Sequence, residues 1–345
     1  MNNINYVHSK QLIICQNRNK KLKHYQIHKI YSILIKIIYT FGWLNQNTIL
    51  MKNLKLFAIA FGMLSLSSCN RNEEEQAIPQ PNQENQVMNS LGALLVDNNT
   101  YDSFAKANIE ELTMRFKGKS AKAAAASIPS SYTIPNTPQI VNQGNEGSCV
   151  AFATAYAAAS ILEYNFKGVT SPRSPEYVYN QIKLGSCSAG SYVSSGLNLI
   201  KNQGVCSWAE MPYTDVGCST QPDAAQKSAA STHKFTTWAT VDKTNINNVK
   251  TLLSMNLPIV IAITVDGSFD SLSSASNWTW KSHSGKVRGG HAICVVGYDD
   301  TKQAFKVQNS WGKTWGDNGF FWIDYAFFAK TTQGAINESY VAYVQ

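Results

Sequence analysis

Three side chains that lie far apart in the sequence could together perform nucleophilic chemistry. Cys149 ends the stretch QGNEGSC, His291 follows 142 residues later, and Asn309 lies a further 18 residues on. A cysteine attacks a carbonyl carbon as a thiolate, which a neighbouring imidazolium stabilises. The imidazolium can then donate its proton to the leaving amine. The side-chain oxygen of Asn309 could accept a hydrogen bond from the imidazole and fix its orientation.

The elements around these residues would give each of them a suitable environment. Residues 153–166 are almost entirely apolar, which is long enough for about four helical turns, and Gly168 is placed to end the helix. Cys149 would lie in the first turn, where the positive end of the helix dipole favours a thiolate. His291 begins an apolar run typical of a buried strand, and Asn309 follows a second strand-like run.

These motifs resemble those of the papain-like cysteine peptidases. The shared features are the glutamine six residues before Cys149, the GSC triplet at 147–149, the AF pair at 151–152, the histidine strand at 289–298 and NSWG at 309–312. The resemblance covers about residues 128–330. It implies an α+β fold of two lobes, a helical left lobe and an antiparallel β right lobe, with the active site in the cleft between them.

The resemblance also implies a role for each matching residue. Cys149 would be the nucleophile, His291 the base and Asn309 the residue that orients it. Gln143 would bind the oxyanion together with the backbone N–H of Cys149. Two positions depart from the family pattern: Glu146 replaces a cysteine that normally forms a disulfide, and Val150 replaces an aromatic residue.

Substrate is expected to bind as an extended polypeptide in the cleft, through antiparallel backbone hydrogen bonds that the resemblance implies. Gly290 and Ala292 flank His291 and are small and uncharged, which predicts a roomy apolar pocket. The residues expected to contact substrate are Gly190, Ser191, Gly290, Ala292 and Trp311.

Local patterns predict the supporting elements. Ser174 followed by Pro175 is a helix start, and residues 192–202 show helical spacing of apolar side chains. Residues 258–265 are rich in β-branched side chains, which predicts a strand of the right lobe.

The cysteines favour a disulfide over a metal site. The seven cysteines form no paired Cys-x-x-Cys clusters, so we expect no metal or other cofactor. An exported protein meets an oxidising compartment, which makes Cys187, Cys206 and Cys218 candidates for one bridge. Cys206 and Cys218 are the pair favoured by their closeness in sequence, although other pairings stay open, and Cys294 should be a buried free thiol.

The net charge of +8 does not predict a nucleic-acid partner. Nine lysines and arginines, with no acidic residue, lie in residues 1–68, which leaves −1 for residues 69–345. A basic binding surface is therefore not expected on the folded part.

The N-terminal region resembles a bacterial lipoprotein signal. Residues 51–68 combine two lysines with a short apolar run, and LSSC at 66–69 resembles the lipobox, in which Cys69 becomes the lipidated first residue. We expect translation to begin at Met51, with residues 1–50 a spurious upstream extension. The expected location is the outer membrane or cell surface, and the expected state is a monomer. An ordinary secretory signal is the alternative.

The remaining segments precede the peptidase-like domain at 129–345. Residues 69–87 are polar and should form a disordered tether. Residues 88–128 contain a short amphipathic pattern and a linker, and could form a short prosegment.

Three functions use this set of residues. The first is a cysteine-type peptidase, most simply an endopeptidase, that acts through a Cys149 acyl-enzyme. The second is an acyltransferase or amidase, in which an amine captures the same acyl-enzyme. The third is an inactive binding protein on the same scaffold. The presence of nucleophile, base, orienting residue and oxyanion glutamine disfavours the third.

Overall fold

The computed structural model describes residues 89–117, 128–215 and 217–344. The expected upstream extension, signal peptide, lipidation site at Cys69 and tether therefore lie outside the described residues. Within the described part, no helix is both long and apolar enough to cross a membrane.

The described chain contains ten α-helices, one π-helix, one 3-10 helix and ten strands. In chain order they are β1 (Ala93–Leu94), α1 (Asn98–Ser103), α2 (Ile109–Lys117), β2 (Ser131–Thr133), α3 (Cys149–Ala151), the π-helix (Phe152–Ala159), α4 (Ser160–Phe166), α5 (Pro175–Ile182), β3 (Ser191–Tyr192), α6 (Val193–Asn202), α7 (Ala224–Ala230), β4 (Thr237–Thr240), α8 (Ile246–Ser254), β5 (Ile259–Val265), α9 (Gly267–Asp270), the 3-10 helix (Ser274–Ser276), β6 (Thr279–Trp280), β7 (Gly289–Asp299), β8 (Ala304–Gln308), β9 (Phe320–Asp324), α10 (Tyr325–Ala329) and β10 (Ile336–Tyr343).

The central helix consists of α3, the π-helix and α4 in succession, and all but its last turn is buried. Its side chains are apolar almost all round, as expected for a helix in the middle of a domain. It packs against β7 and β5 on one side and against α5 and α6 on the other. The sequence predicts this helix, but it does not predict the π-helical stretch.

The helices beside it begin where the sequence predicts. The Ser174 hydroxyl accepts a hydrogen bond from the Tyr177 N–H, and Pro175 occupies the first turn of α5. Helix α6 also lies within its predicted range. These helices form the helical lobe.

The second lobe is an eight-stranded sheet in the order β4-β10-β5-β7-β8-β9-β6, with β2 paired to the end of β7. All neighbours are antiparallel except the short β6–β9 pair. Strand β7 lies between β5 and β8, and His291, near the start of β7, pairs with Ile263 of β5. The α+β, two-lobe architecture predicted from the sequence is confirmed.

The favoured disulfide pairing is wrong. Cys187 and Cys218 are bonded, with their Cα atoms 5.5 Å apart, and Cys206 is a free buried thiol. Cys206 packs inside the core of the helical lobe, whereas Cys218 lies on a loop that passes next to Cys187. Cys294 is free and buried, as predicted.

Candidate active site

Cys149 is the first residue of the central helix, and its side chain is fully buried. Burial raises the pKa of its thiol to about 11, although the backbone N–H groups of Ala292 and Gly92 partly offset this increase. Because Ala292 follows His291 on β7, Cys149 lies against the strand that carries the predicted base.

His291 and Asn309 form the hydrogen bond that the sequence predicts. The distance from His291 Nε2 to Asn309 Oδ1 is 2.8 Å, and both residues are buried. The indole of Trp311 stacks on the imidazole, with ring centroids 4.7 Å apart and an interplanar angle of 27°. Burial lowers the pKa of His291 to about 4, against the opposing effect of the Asn309 bond. Burial thus disfavours the charged form of both the imidazole and the thiol.

Gln143 bridges the helical lobe and the sheet. Its side-chain oxygen accepts a hydrogen bond from Ser310 Oγ at 2.6 Å, and its backbone N–H donates to the Ser310 carbonyl at 2.8 Å. The side-chain Nε2 donates to the Glu146 carbonyl at 3.0 Å and contacts the Ser90 carbonyl at 3.4 Å. Hydrogen bonds thus hold both the oxygen and the nitrogen of the Gln143 side-chain amide, the group predicted to bind the oxyanion.

Residues 89–96, here called the strap, run between the two lobes directly over Cys149. The Ser191 N–H donates to the Gly92 carbonyl at 2.8 Å, and the Gly92 N–H donates to the Gly290 carbonyl at 3.3 Å. The strap strand β1 pairs with β3 in the parallel direction. At the far end, the Val96 N–H donates to the Glu338 carboxyl at 2.7 Å.

Gly92 lies at the tightest point of the strap. A Cβ atom added there would lie 2.0 Å from the Gly147 carbonyl oxygen. Cβ atoms added to Gly190 and Gly290 would likewise lie 2.4 Å from the Gly92 oxygen and 2.1 Å from the Ala93 oxygen. These contacts explain why Cys149 and His291 have no exposed surface.

Four of the five predicted substrate-contact residues contact the strap, and the fifth, Ala292, lies in the interior. Ser191, Gly290 and Trp311 hold the strap backbone through hydrogen bonds, the last through its indole N–H to the Ser90 carbonyl at 3.3 Å. Gly190 touches the strap without donating or accepting, and its carbonyl accepts from the Leu184 N–H. Ala292 is 1% exposed and lines a small internal cavity beside the central helix.

Sequence reasoning missed several residues around the site. The Tyr213 hydroxyl and the Asp215 carboxylate contact the loop that carries Gln143. Glu338 is a buried carboxyl on β10 that pairs with Ala262 of β5. Since Ala262 in turn pairs with Ala292 of β7, the region near the predicted apolar pocket contains an acidic group. The glutamate at position 146 was the one sequence feature that could have indicated Tyr213 and Asp215. It replaces the cysteine whose disulfide normally holds this loop, so the loop needs another anchor.

One group of potential metal ligands lies near this loop. A carboxylate oxygen of Glu146 and the sulfur atoms of Cys187 and Cys218 are within 4.8 Å of one another. Because both sulfur atoms belong to the disulfide, neither offers a thiolate to a metal ion.

Residues 131–342 match the sequence model of a family described as "Papain family cysteine protease". An uncharacterized peptidase C1-like protein of Acanthamoeba polyphaga mimivirus is 30% identical over 212 residues, which are 57% of this chain and 68% of that protein. Ananain from Ananas comosus is 28% identical over 184 residues, covering 52% of this chain and half of its own length.

Solved structures show the same fold. Xylellain, a cysteine protease from Xylella fastidiosa, superposes with a TM-score of 0.61 at 22% identity, over 74% of this chain and 97% of its own. The bromelain protease from Ananas comosus, in complex with the E64 inhibitor, gives a TM-score of 0.51 at 22% identity, over 63% of this chain and all of its own.

Proposed function

Because the chain belongs to the papain family of cysteine proteases, we propose that it is an endopeptidase whose reaction uses Cys149, His291, Asn309 and Gln143. One observation carries the assignment of these residues. His291 lies on β7, the strand that packs against the start of the Cys149 helix, and its Nε2 is 2.8 Å from Oδ1 of Asn309, which follows β8. The Trp311 ring stacks on the same imidazole.

The reaction follows from this arrangement. Once solvent enters the cleft, the burial that disfavours both charged forms is relieved, and the Cys149 proton passes to His291. The thiolate attacks the peptide carbonyl, and the oxyanion accepts hydrogen bonds from the Cys149 N–H and the Gln143 amide. His291 then protonates the leaving amine, and water hydrolyses the thioester.

The strap makes the described form latent. A substrate is expected to pair antiparallel with the segment at Gly190 and Ser191, whereas the strap pairs with it in the parallel direction. Its backbone therefore crosses the nucleophile in the orientation opposite to that of a substrate. This supports the role of a prosegment for residues 89–117, whose helices α1 and α2 follow the strap.

Anchoring to a membrane through lipidated Cys69 is also part of the proposal. It rests on the lipobox-like LSSC motif and on the polar segment that follows it. Such an anchor would place the peptidase at the outer membrane or cell surface, where its substrates would be exported or extracellular polypeptides. Two or more acyl chains hold a protein firmly, at about 0.8 kcal/mol per buried methylene.

The test of the catalytic assignment combines labelling of Cys149 with peptide hydrolysis. It uses the full chain and the full chain carrying Gly92→Ala, a substitution expected to open the strap because the added Cβ would lie 2.0 Å from the Gly147 oxygen. Cys149→Ser should abolish casein cleavage, by at least about 10³-fold, without loss of the fold. His291→Ala should do the same and should also slow iodoacetamide labelling of Cys149, because the imidazolium partner is lost. Asn309→Ala should cost less, since this residue only orients the base.

Cys294→Ser is the matched control, because it removes a second free, buried thiol that takes no part in the proposed reaction. It should leave both labelling and cleavage unchanged. Product analysis with added amine separates hydrolysis from acyl transfer. A Cys149→Ser chain that still cleaves casein would refute the assignment.

A further inference from the structure

The loop at residues 143–148 determines where the oxyanion donor points. Gln143 begins this loop, and Cys149 follows its last residue. In this chain the family's disulfide cannot hold the loop, because position 146 is a glutamate. The loop has a different anchor, supplied by the segment that carries Tyr213 and Asp215.

The Asp215 carboxylate accepts three hydrogen bonds from two consecutive loop residues. Its Oδ1 accepts from the Asn145 N–H at 2.6 Å and from the Glu146 N–H at 3.1 Å. Its Oδ2 accepts from the Asn145 side-chain amide at 2.9 Å. Within the described residues no lysine, arginine or histidine forms a salt bridge with Asp215. Its contacts are therefore those of a loop anchor.

The loop backbone is shaped to meet this carboxylate. Gly144 has a φ of +66°, and a Cβ atom there would lie 2.3 Å from the Asp215 carboxyl group. Only glycine both adopts this conformation readily and leaves room for Asp215. The close approach of Asp215 to the loop therefore depends both on its carboxylate and on the glycine at position 144.

Tyr213 holds the two ends of the same loop. Its hydroxyl donates to the Gln143 carbonyl at 2.6 Å and lies 2.8 Å from Ser148 Oγ, which can donate to it. The segment is itself fixed, because Cys218 is bonded to Cys187 and the Cys187 carbonyl accepts from the Gly147 N–H. The Tyr213 hydroxyl and the Cys187–Cys218 disulfide therefore both support the loop between Gln143 and Cys149.

We propose that Asp215 is a positioning residue for the oxyanion hole: it fixes the backbone at Asn145 and Glu146 so that the Gln143 amide points at the reacting carbonyl. The link is direct, because Gln143 Nε2 donates to the carbonyl of Glu146, whose N–H is held by Asp215. This inference rests on the proposed catalytic role of Gln143.

The test uses the full chain carrying Gly92→Ala, and the full chain itself, with a fluorogenic peptide substrate. Asp215→Ala should lower kcat/KM by about 10- to 100-fold, mainly through kcat, which is less than the ~10²–10³ attributed to complete removal of one oxyanion donor. Asp215→Asn should retain most activity, because its Oδ1 can still accept both backbone N–H groups. On the Gly92→Ala chain, the rate of Cys149 labelling by iodoacetamide should not change, since alkylation develops no oxyanion.

Two comparisons separate positioning from a general loss of stability. With Gln143→Ala already present, Asp215→Ala should cost less than about threefold more, because residues that act through one interaction are not additive. Asp299→Ala is the matched control: its carboxylate also accepts three hydrogen bonds in a turn, from Thr301 and Lys302, at the far end of β7. It should leave kcat/KM unchanged.

The inference is overturned if Asp215→Ala behaves like Asp299→Ala, or if it lowers kcat/KM by the same factor with and without the Gln143 side chain. If Gln143→Ala itself has no effect, the proposed role of Gln143 has failed, and the positioning role fails with it. If Gln143→Ala is impaired but Asp215→Ala is not, only the positioning role is wrong.

Discussion

Replacing Gly92 should release the peptidase from its own strap. In the Gly92→Ala chain the new Cβ would lie 2.0 Å from the Gly147 oxygen and 2.4 Å from its carbonyl carbon. Both are backbone atoms next to the central helix, so they cannot move aside cheaply. The strap must therefore shift away from the wall, and Gly92→Val should displace it further.

The size of the effect follows from the hydrogen bonds that the shift breaks. The two bonds at Gly92, to Ser191 and Gly290, are lost first. At ~0.5–1.5 kcal/mol each, they contribute about 2 kcal/mol to closure. Since every 1.4 kcal/mol is tenfold, the open fraction should rise about thirtyfold. While the closed state dominates, activity rises by the same factor.

Initial rates of peptide hydrolysis by the full chain measure this change directly. The rate of Cys149 alkylation should rise in parallel, because the thiol is fully buried only while the strap is closed. Leu95→Ala is the control, since this strap residue is already 38% exposed. If Gly92→Ala and Gly92→Val remain as inactive and as slowly alkylated as the parent, the strap does not hold the enzyme latent.

Two further predictions concern a buried acid and the N-terminus. Burial, with Glu176 and Asp215 nearby, raises the pKa of Glu146 from 4.5 to about 7. The folded state then keeps a proton that the unfolded state has lost between pH 4.5 and 7, so stability should fall by at most about 3 kcal/mol as pH rises through that window. Glu146→Gln should melt at a higher temperature than the parent at pH 8 and at a similar one at pH 4; an unchanged pH dependence would contradict this. Mass spectrometry of the native protein should find acylated Cys69 as its first residue, and an unmodified N-terminus upstream of Cys69 would disprove the anchor.

The elements that carry chemistry were predictable because their residue types are constrained. A cysteine at the start of an apolar helix and a histidine at the start of an apolar strand each satisfy a chemical and a packing requirement. The structure places both at these positions and brings Asn309 to the histidine. The start of α5 was similarly clear, since Ser174 and Pro175 act within one turn.

Features that depend on loop paths could not be predicted in this way. The Cys187–Cys218 pairing arises where two irregular loops meet, and sequence distance favoured Cys206 instead. The strap has no periodic pattern, because its fit depends on the absence of a side chain at Gly92. The three bonds to Asp215 are likewise invisible, since they join residues about 70 positions apart.

The strap and the oxyanion loop are connected through Ser90. Its hydroxyl donates to the Asn145 carbonyl at 3.1 Å, and its own carbonyl oxygen accepts from Gln143 Nε2 and from Trp311 Nε1. The Ser90 carbonyl of the strap thus accepts a hydrogen bond from the same Gln143 side-chain amide that is proposed to stabilise the oxyanion. The loop held by Asp215 therefore presents the same donor to the strap in the latent state and to the substrate in the open state. Since one amide cannot serve both carbonyls in that position, latency and catalysis exclude each other at Gln143 as well as at Cys149.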